Sequence, residues 1–215
     1  LQRMLEKSGK EVVAGGNIGL VPLDKIESLS ENSFLLLELS SFQLEGLRVY
    51  PDIAIVLPIS SDHLDYHENS DEYIDAKSSI CKFQQEGDKL IYYKNDIGDV
   101  IAEKSQGEKF SFSDKQAVVD CFGAEKAVIC KKDGMSDAVY EDLLKYSSEL
   151  KIPFVNIICA FCFAYALDLH FEISDIFSCF EKMPFRITLS KEVDGVRFYN
   201  DSASTNPVSA IEAIK

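Results

Sequence analysis

The sequence predicts an α/β fold: a mostly parallel sheet flanked by helices with a small β-rich part, followed by the start of a second α/β domain. Phe34 to Leu39 and Ile53 to Ile59 are continuous apolar runs of strand length, the pattern of strands covered on both faces rather than strands with one wet face. Helix-length segments separate such runs, as crossovers between parallel strands require. The second domain is expected because the pattern breaks at Pro184 and restarts as a strand pair and one helix, too little chain to close a core.

Taken in order, Leu1 to Ser8 reads as the last turns of a helix closed by Gly9, and Glu11 to Ala14 as a short strand running into the turn Gly15-Gly16-Asn17-Ile18-Gly19. Asp24 to Leu29 suits a short helix. After the two apolar strands, Ser70 to Phe83 fits a helix, Lys89 to Tyr93 a strand and Ile97 to Lys104 a short helix. Lys109 to Lys132 reads as a strand followed by a hairpin, and helices follow at Val155 to Leu167 and Ile173 to Lys182. Ile187 to Val193 and Val196 to Asn200 flank Asp194-Gly195, the commonest two-residue hairpin signal, and a helix begins near Pro207. The domains are accordingly expected at residues 1–184 and 185–215.

Of the 215 residues, 46% are hydrophobic and 27% charged, a balance that excludes whole-chain disorder. The 22 Lys and Arg against 36 Asp and Glu give a net charge of −14, which repels a phosphate backbone or an anionic bilayer. Nucleic acid and membrane insertion are therefore not expected, and an anionic small molecule needs a local site of cations, amides or metal to bind. The longest apolar stretch, Ile157 to Leu167, falls far short of the roughly 20 residues that span a bilayer, and no signal-peptide pattern opens the chain, so a cytoplasmic location is expected. The six cysteines sit mostly in apolar runs and are expected to be reduced. The Cys159-x-x-Cys162 pair lies inside such a run with no second pair nearby, which favours packing over a redox or zinc role. His67 and His170 read as surface or loop residues.

The polar residues that could carry chemistry follow the first three predicted strands: Asn17 in the glycine turn, Glu38 to Ser41 after the second strand, and Asp62-His63 after the third. Ligands of open parallel sheets bind outside the carboxyl ends of the strands, so three such ends would bring these side chains into one crevice, with Lys77 a short helix later. Carboxylate, imidazole and hydroxyl groups together suit Mg²⁺ or Mn²⁺ holding substrate phosphates. Each group also has a plainer role open to it: a turn for Asn17, a helix cap for Ser40-Ser41, solvated surface for Asp62-His63.

Val13 to Gly19, the string Glu38-Leu39-Ser40-Ser41-Phe42-Gln43-Leu44-Glu45, Asp62 to His67, Tyr73 to Lys77, and Asn200-Asp201-Ser202 through Asn206 together resemble the D-glutamate-adding branch of the Mur ligases. The resemblance runs in order along nearly the whole chain and implies a central, P-loop-type ATP-binding domain over residues 1–184 and the opening of the C-terminal domain after it. It implies an ATP-dependent ligase of peptidoglycan synthesis, acting as a monomer. Such an enzyme phosphorylates the terminal carboxylate of UDP-N-acetylmuramoyl-L-alanine and lets the amine of D-glutamate attack the acyl phosphate. By resemblance Glu38 holds Mg²⁺ at the ATP phosphates, His63 holds a second Mg²⁺ near the reacting carboxylate, and Lys77, carrying a carbamate, is a further metal ligand. Asn17 and Ser40 would orient the muramoyl-alanine end. Asn156 would lie near the adenine, Arg186 would reach the ATP phosphates, and Asp201 would sit at the ribose and the hinge. A plain helix N-cap is the alternative for Asn156.

The sequence also departs from the family pattern. Phe154 to Cys159 keeps one of the asparagines expected before the late apolar helix, with Val155 and Cys159 at altered positions. Pro184-Phe185-Arg186 stands for Pro-His-Arg, Ala203 stands where these ligases carry a lysine, and Pro58 where an asparagine is often seen. The glycine-rich phosphate loop ending in Gly-Lys-Ser/Thr is absent from the 215 residues. Leu1 to Gly9 reads as the tail of the helix after that loop, so the chain alone is expected not to turn over. Two rivals remain open: a non-catalytic nucleotide- or partner-binding homologue, and a sister ligase adding another amino acid.

Overall fold

The computed structural model describes residues 1–17, 21–59, 69–113, 118–121, 127–128, 145–150, 152–171, 173–181, 185–204 and 210–211. Helix α1 (Gln2–Lys7) ends as its sequence predicts: Gly9 takes φ +79° while the amides of Ser8, Gly9 and Lys10 donate back to carbonyls of the last turn. Strand β1 (Val12–Gly16) pairs in parallel with β2 (Phe34–Glu38) across a crossover containing a 3₁₀ helix (Pro22–Ser28) where a short helix is expected from Asp24 to Leu29. α2 (Ser41–Leu44) follows β2 directly.

β3 (Ile53–Val56), β4 (Lys89–Tyr93) and β5 (Glu108–Ser113) form a second parallel set, extended by antiparallel β6 (Val118–Cys121) and β7 (Ala127–Val128) in the order β3-β4-β5-β6-β7. The expected strand and hairpin after Lys109 are thus present. β3 is shorter than its apolar run, since Leu57 is exposed and Pro58 has no N–H to give a ladder. Helices α3 (Ser70–Ser78) and α4 (Asp96–Ala102) are the crossovers of this sheet. α3 stops before the expected Phe83 because the chain tightens: the amides of Ser79, Ile80, Cys81 and Gln84 each donate to the carbonyl three residues back.

β4 explains the two-layer packing. Leu90 and Tyr92 join Ala54, Val56, Cys81, Ile101 and Ala102 in one apolar layer, whereas Ile91 and Tyr93 join Phe110, Phe112 and the late helices in another. The register makes this consistent, with Ile91 opposite Phe110 and Tyr93 opposite Phe112, the last two rings meeting edge-on at 5.8 Å. α5 (145–150) and α7 (Ile173–Ser178) flank α6 (Phe154–Ala166), which is apolar nearly all round and buries every residue from Ile157 to Ala164. Met4 and Leu5 of α1 belong to the same cluster, with Val12 and Phe34 packed against it. Both parallel sets therefore share one core, although no backbone ladder joins β1–β2 to β3 among the described residues.

At the amino ends of β3, β4 and β5, Gln84, 2% exposed, is a polar clip. Its amide donates to the carbonyls of Pro51 (3.2 Å) and Lys89 (2.9 Å), and its oxygen accepts from Ser105 Oγ (2.9 Å), which accepts in turn from the Gly107 amide. The hairpin β8 (Thr188–Val193) and β9 (Val196–Asn200) turns at Asp194 (φ +50°) and Gly195 (φ +80°), the doubly positive pair of a type I′ turn. Its two strands are exposed along almost their whole length. The helix expected near Pro207 falls mostly outside the described residues, as does Pro184 in the expected domain boundary.

Truncating Phe112, which is fully buried between β4 and α6, is expected to cost about 3–5 kcal/mol. Urea denaturation of Phe112→Ala should show a lowered midpoint with an unchanged slope.

Candidate functional site

The first two strand ends meet through backbone geometry. Gly16 lies opposite Glu38 in the ladder, and the next amide, that of Asn17, donates to the Glu38 carbonyl at 2.7 Å. The approach is close enough to demand glycine. Gly16 has φ +111°, and a Cβ there would stand 2.2 Å from the Glu38 carbonyl oxygen. The result joins the backbones of Asn17 and Glu38, both exposed residues, at the carboxyl ends of β1 and β2.

Two residues after Glu38, Ser40 caps α2 in a reciprocal capping box: Ser40 Oγ accepts from the Gln43 amide (3.3 Å), and Gln43 Oε1 accepts from the Ser40 amide (2.9 Å) and hydroxyl (3.1 Å). The capping role open to Ser40 is therefore realised, and it sharpens the direction of the hydroxyl. Gln43 belongs to the Glu38 to Glu45 string, where the sequence alone assigns it no role. The Ser-x-x-Gln spacing just after an apolar strand was the signal that could have singled it out.

α2 packs against α3, which carries Lys77 in its last turn. Asn69 starts α3 by accepting the Glu72 amide at 2.9 Å, while Tyr73, Ala76 and Ser78 bury one side of the helix. Lys77 is half-buried, with Nζ 5.8 Å from the centroid of the Tyr73 ring one turn earlier. His63, together with Asp62 and the rest of that motif, lies outside the described residues. Of the expected site, Asn17 follows β1 and meets the backbone of Glu38 at the end of β2, Ser40 caps α2 two residues further on, and Lys77 stands on the helix packed against α2.

Asn156 is the third residue of α6, exposed, and Pro153 occupies the cap position, so the N-cap alternative for Asn156 is corrected: the helix begins earlier than that alternative requires. Arg186 and Asp201 lie together at the base of the hairpin. Asp201 Oδ1 accepts the Ile187 amide at 3.0 Å, Oδ2 accepts the Ser204 hydroxyl, and the Ala203 amide closes onto the Phe185 carbonyl. This latch holds Phe185 and Ile187 at φ +62° and +46°, values that side-chain-bearing residues rarely adopt. The hydrogen bond from Ser204, helped by the Ile187 amide and nearby Arg186, keeps the Asp201 carboxyl below its ordinary value despite its partial loss of water.

Cys159 and Cys162 are buried within α6, and burial pushes the Cys159 thiol up to about 12, which makes it an inert packing group. Among the described residues no group of three His, Cys, Asp or Glu side chains could hold a metal ion, and no helix is long and apolar enough to cross a membrane.

A family model described as the Mur ligase middle domain matches residues 15–156. The UDP-N-acetylmuramoylalanine--D-glutamate ligase of Acetivibrio thermocellus is 33% identical over 221 residues, covering 100% of this chain and 46% of the relative. That of Ruminiclostridium cellulolyticum is 32% identical over 222 residues with the same two coverages. The chain thus spans about half the length of these curated relatives. Among solved structures, MurF from Acinetobacter baumannii aligns with a TM-score of 0.62 at 16% identity, over 98% of this chain and 48% of that one. The MurF ligase from Thermotoga maritima in complex with ADP aligns with a TM-score of 0.63 at 16% identity, over 99% of this chain and 53% of that one. These two share the fold.

Gly16→Ala is expected to destabilise the protein by at least about 1–3 kcal/mol through strain at positive φ and the clash with Glu38. Amide exchange at Asn17 reads the lost bond directly. For Asp201 the folded value is depressed, so its contribution is present above the ordinary carboxylate value and is lost as pH falls through the depressed one. Protection of the Ile187 amide should hold at neutral pH, persist at the ordinary carboxylate value of about 3.9, and be lost only at lower pH as the depressed value is passed.

Proposed function

The chain belongs to the Mur ligase family, and on that premise we propose that it serves a cytoplasmic, ATP-dependent ligase that adds D-glutamate to UDP-N-acetylmuramoyl-L-alanine in peptidoglycan synthesis. One observation carries the reading: Gly16 lets Asn17 and Glu38 converge at the ends of β1 and β2, within the region matched by the family model. The D-glutamate assignment draws support from relatives of that name aligned over the whole chain.

The donor chemistry fits Mg²⁺. Glu38 offers exposed carboxylate oxygens at a strand end, and a cation that keeps water and substrate phosphates in its shell needs only one or two protein carboxylates. Glu38 would hold one Mg²⁺ at the ATP phosphates and His63 a second near the reacting carboxylate, with Lys77 as a carbamate a further metal ligand. When bound, Mg²⁺ supplies the charge neutralisation that a triphosphate facing a carboxylate requires. The protein's net charge of −14 makes that neutralisation a condition of phosphate entry.

In the proposed reaction a carboxylate oxygen of the muramoyl-alanine attacks the γ-phosphorus, the bond to ADP breaks, and an acyl phosphate forms. The amine of D-glutamate then attacks the acyl carbon, losing a proton as inorganic phosphate leaves. Asn17 and Ser40 orient the carboxylate-bearing end, Asn156 stands near the adenine, and Arg186 and Asp201 act at the phosphates and ribose from the hairpin base. Lys77 as an ammonium would repel divalent cations. Addition of CO₂ to its neutral amine, with release of a proton, converts it to an anionic oxygen donor.

The full-length protein, given ATP, the UDP-substrate and candidate amino acids, tests the proposal: phosphate release with D-glutamate only supports it. Release with a different amino acid points to a sister ligase, and no release points to the non-catalytic homologue that Val155, Cys159 and Ala203 motivate. In that protein Lys77→Ala should lower turnover by about two orders of magnitude or more, and undiminished turnover would remove the carbamate from the mechanism.

A further inference from the structure

We infer that Phe185 to Ile187 is a two-state hinge held in its present state by the Asp201 latch, and that the Ser204 hydroxyl sets the fraction of molecules latched. The device requires no ligand and does not depend on the reaction proposed above. Packing does not hold the hairpin that follows the hinge. Neither apolar cluster takes a residue from 185–204, and β8 and β9 are exposed along almost their whole length. Among the described residues, the direction of the hairpin therefore follows from the backbone that leads into it.

That backbone is held where it would not go by itself. Phe185 and Ile187 have φ +62° and +46° on either side of Arg186. In this conformation each Cβ crowds the following carbonyl, and Ile187 suffers most because it branches at Cβ. A left-handed residue with a side chain is disfavoured about five- to thirtyfold against its right-handed alternative. Three hydrogen bonds hold the strained state. The Ile187 amide (3.0 Å) and the Ser204 hydroxyl donate to separate oxygens of Asp201, and the Ala203 amide donates to the Phe185 carbonyl at 3.0 Å. Each such bond, exchanged against water, favours its state by about two- to tenfold.

Three gains of that size and two penalties multiply out to the same order, so neither state wins by a wide margin and a single donor decides the balance. Of the three donors, the Ser204 hydroxyl is the one carried by a side chain. When the latch opens, Phe185 and Ile187 return to negative φ. The peptide planes on both sides of Arg186 then turn, and the guanidinium and the hairpin change direction together. Phe185 is 58% exposed, so little packing resists that turn.

Amide-resolved hydrogen exchange of the full-length protein, without substrates, tests the hinge. Ser204→Ala should speed exchange at the Ile187 amide about two- to tenfold, and Ser204→Thr, which keeps a hydroxyl, should retain the wild-type rate. Phe185→Gly removes a left-handed penalty but no latch bond, so it should slow that exchange about threefold or more. Combining Ser204→Ala with Phe185→Gly should bring the rate back toward wild type. The amides of β4 should exchange as in wild type in every variant, because the hinge opens while the core stays folded. Exchange at Ile187 that ignores Phe185→Gly would show a rigid turn and overturn the two-state hinge. Parallel changes at β4 would reduce the effect to global stability and overturn it as well. An unprotected Ile187 amide in wild type removes the latch, and an unchanged rate in Ser204→Ala removes Ser204 from its control.

Discussion

Strand β4 sends Leu90 and Tyr92 into one apolar layer and Ile91 and Tyr93 into the other, so it is stable only when both of its faces are covered. The rest of the structure answers to that requirement. α6 supplies one cover, the α3 and α4 side the other, and parallel β3 and β5 take the two edges in a register that keeps each layer continuous. With both faces occupied, the strand ends are the places left for polar chemistry. Gln84 and Ser105 close the amino ends with buried hydrogen bonds, whereas the carboxyl ends of β1 and β2 carry exposed Asn17 and Glu38.

Much of this organisation is legible in the residues. The Lys89–Tyr93 strand matches its apolar run to the residue, α6 follows its uninterrupted hydrophobic stretch, and Asp194-Gly195 marks the turn of its hairpin. The misjudged boundaries are those where local hydrogen bonding competes with periodicity. Turns with three-residue spacing replace the end of α3 and the last residues after α7, where the amides of Cys179 and Phe180 bond to Ile176 and Phe177. Pro22 opens a 3₁₀ helix two residues ahead of the short helix expected from Asp24.

At the site, the identity of the polar residues was readable but their geometry was not. Nothing in the string Gly15-Gly16-Asn17 states that the second glycine must touch the Glu38 carbonyl, because that distance is set by the pairing of two strands separated in sequence. The capping box is readable from spacing alone, yet that both of its reciprocal hydrogen bonds form needs atomic positions. The Asp201 latch likewise joins residues on either side of a hairpin, and only the folded turn reveals that one carboxylate holds both Ile187 and Ser204.

The shared core has a temporal side. Met4 and Leu5 at the beginning of the chain lie in the same cluster as Ile157 to Phe163 and Phe177, about 150 residues later. During synthesis, α1 and the first strands must wait in the open until α6 has left the ribosome, with their apolar surfaces uncovered in the meantime. Contacts so far apart in sequence carry a large loop-closure cost, so this core is of the kind that closes late in folding rather than early.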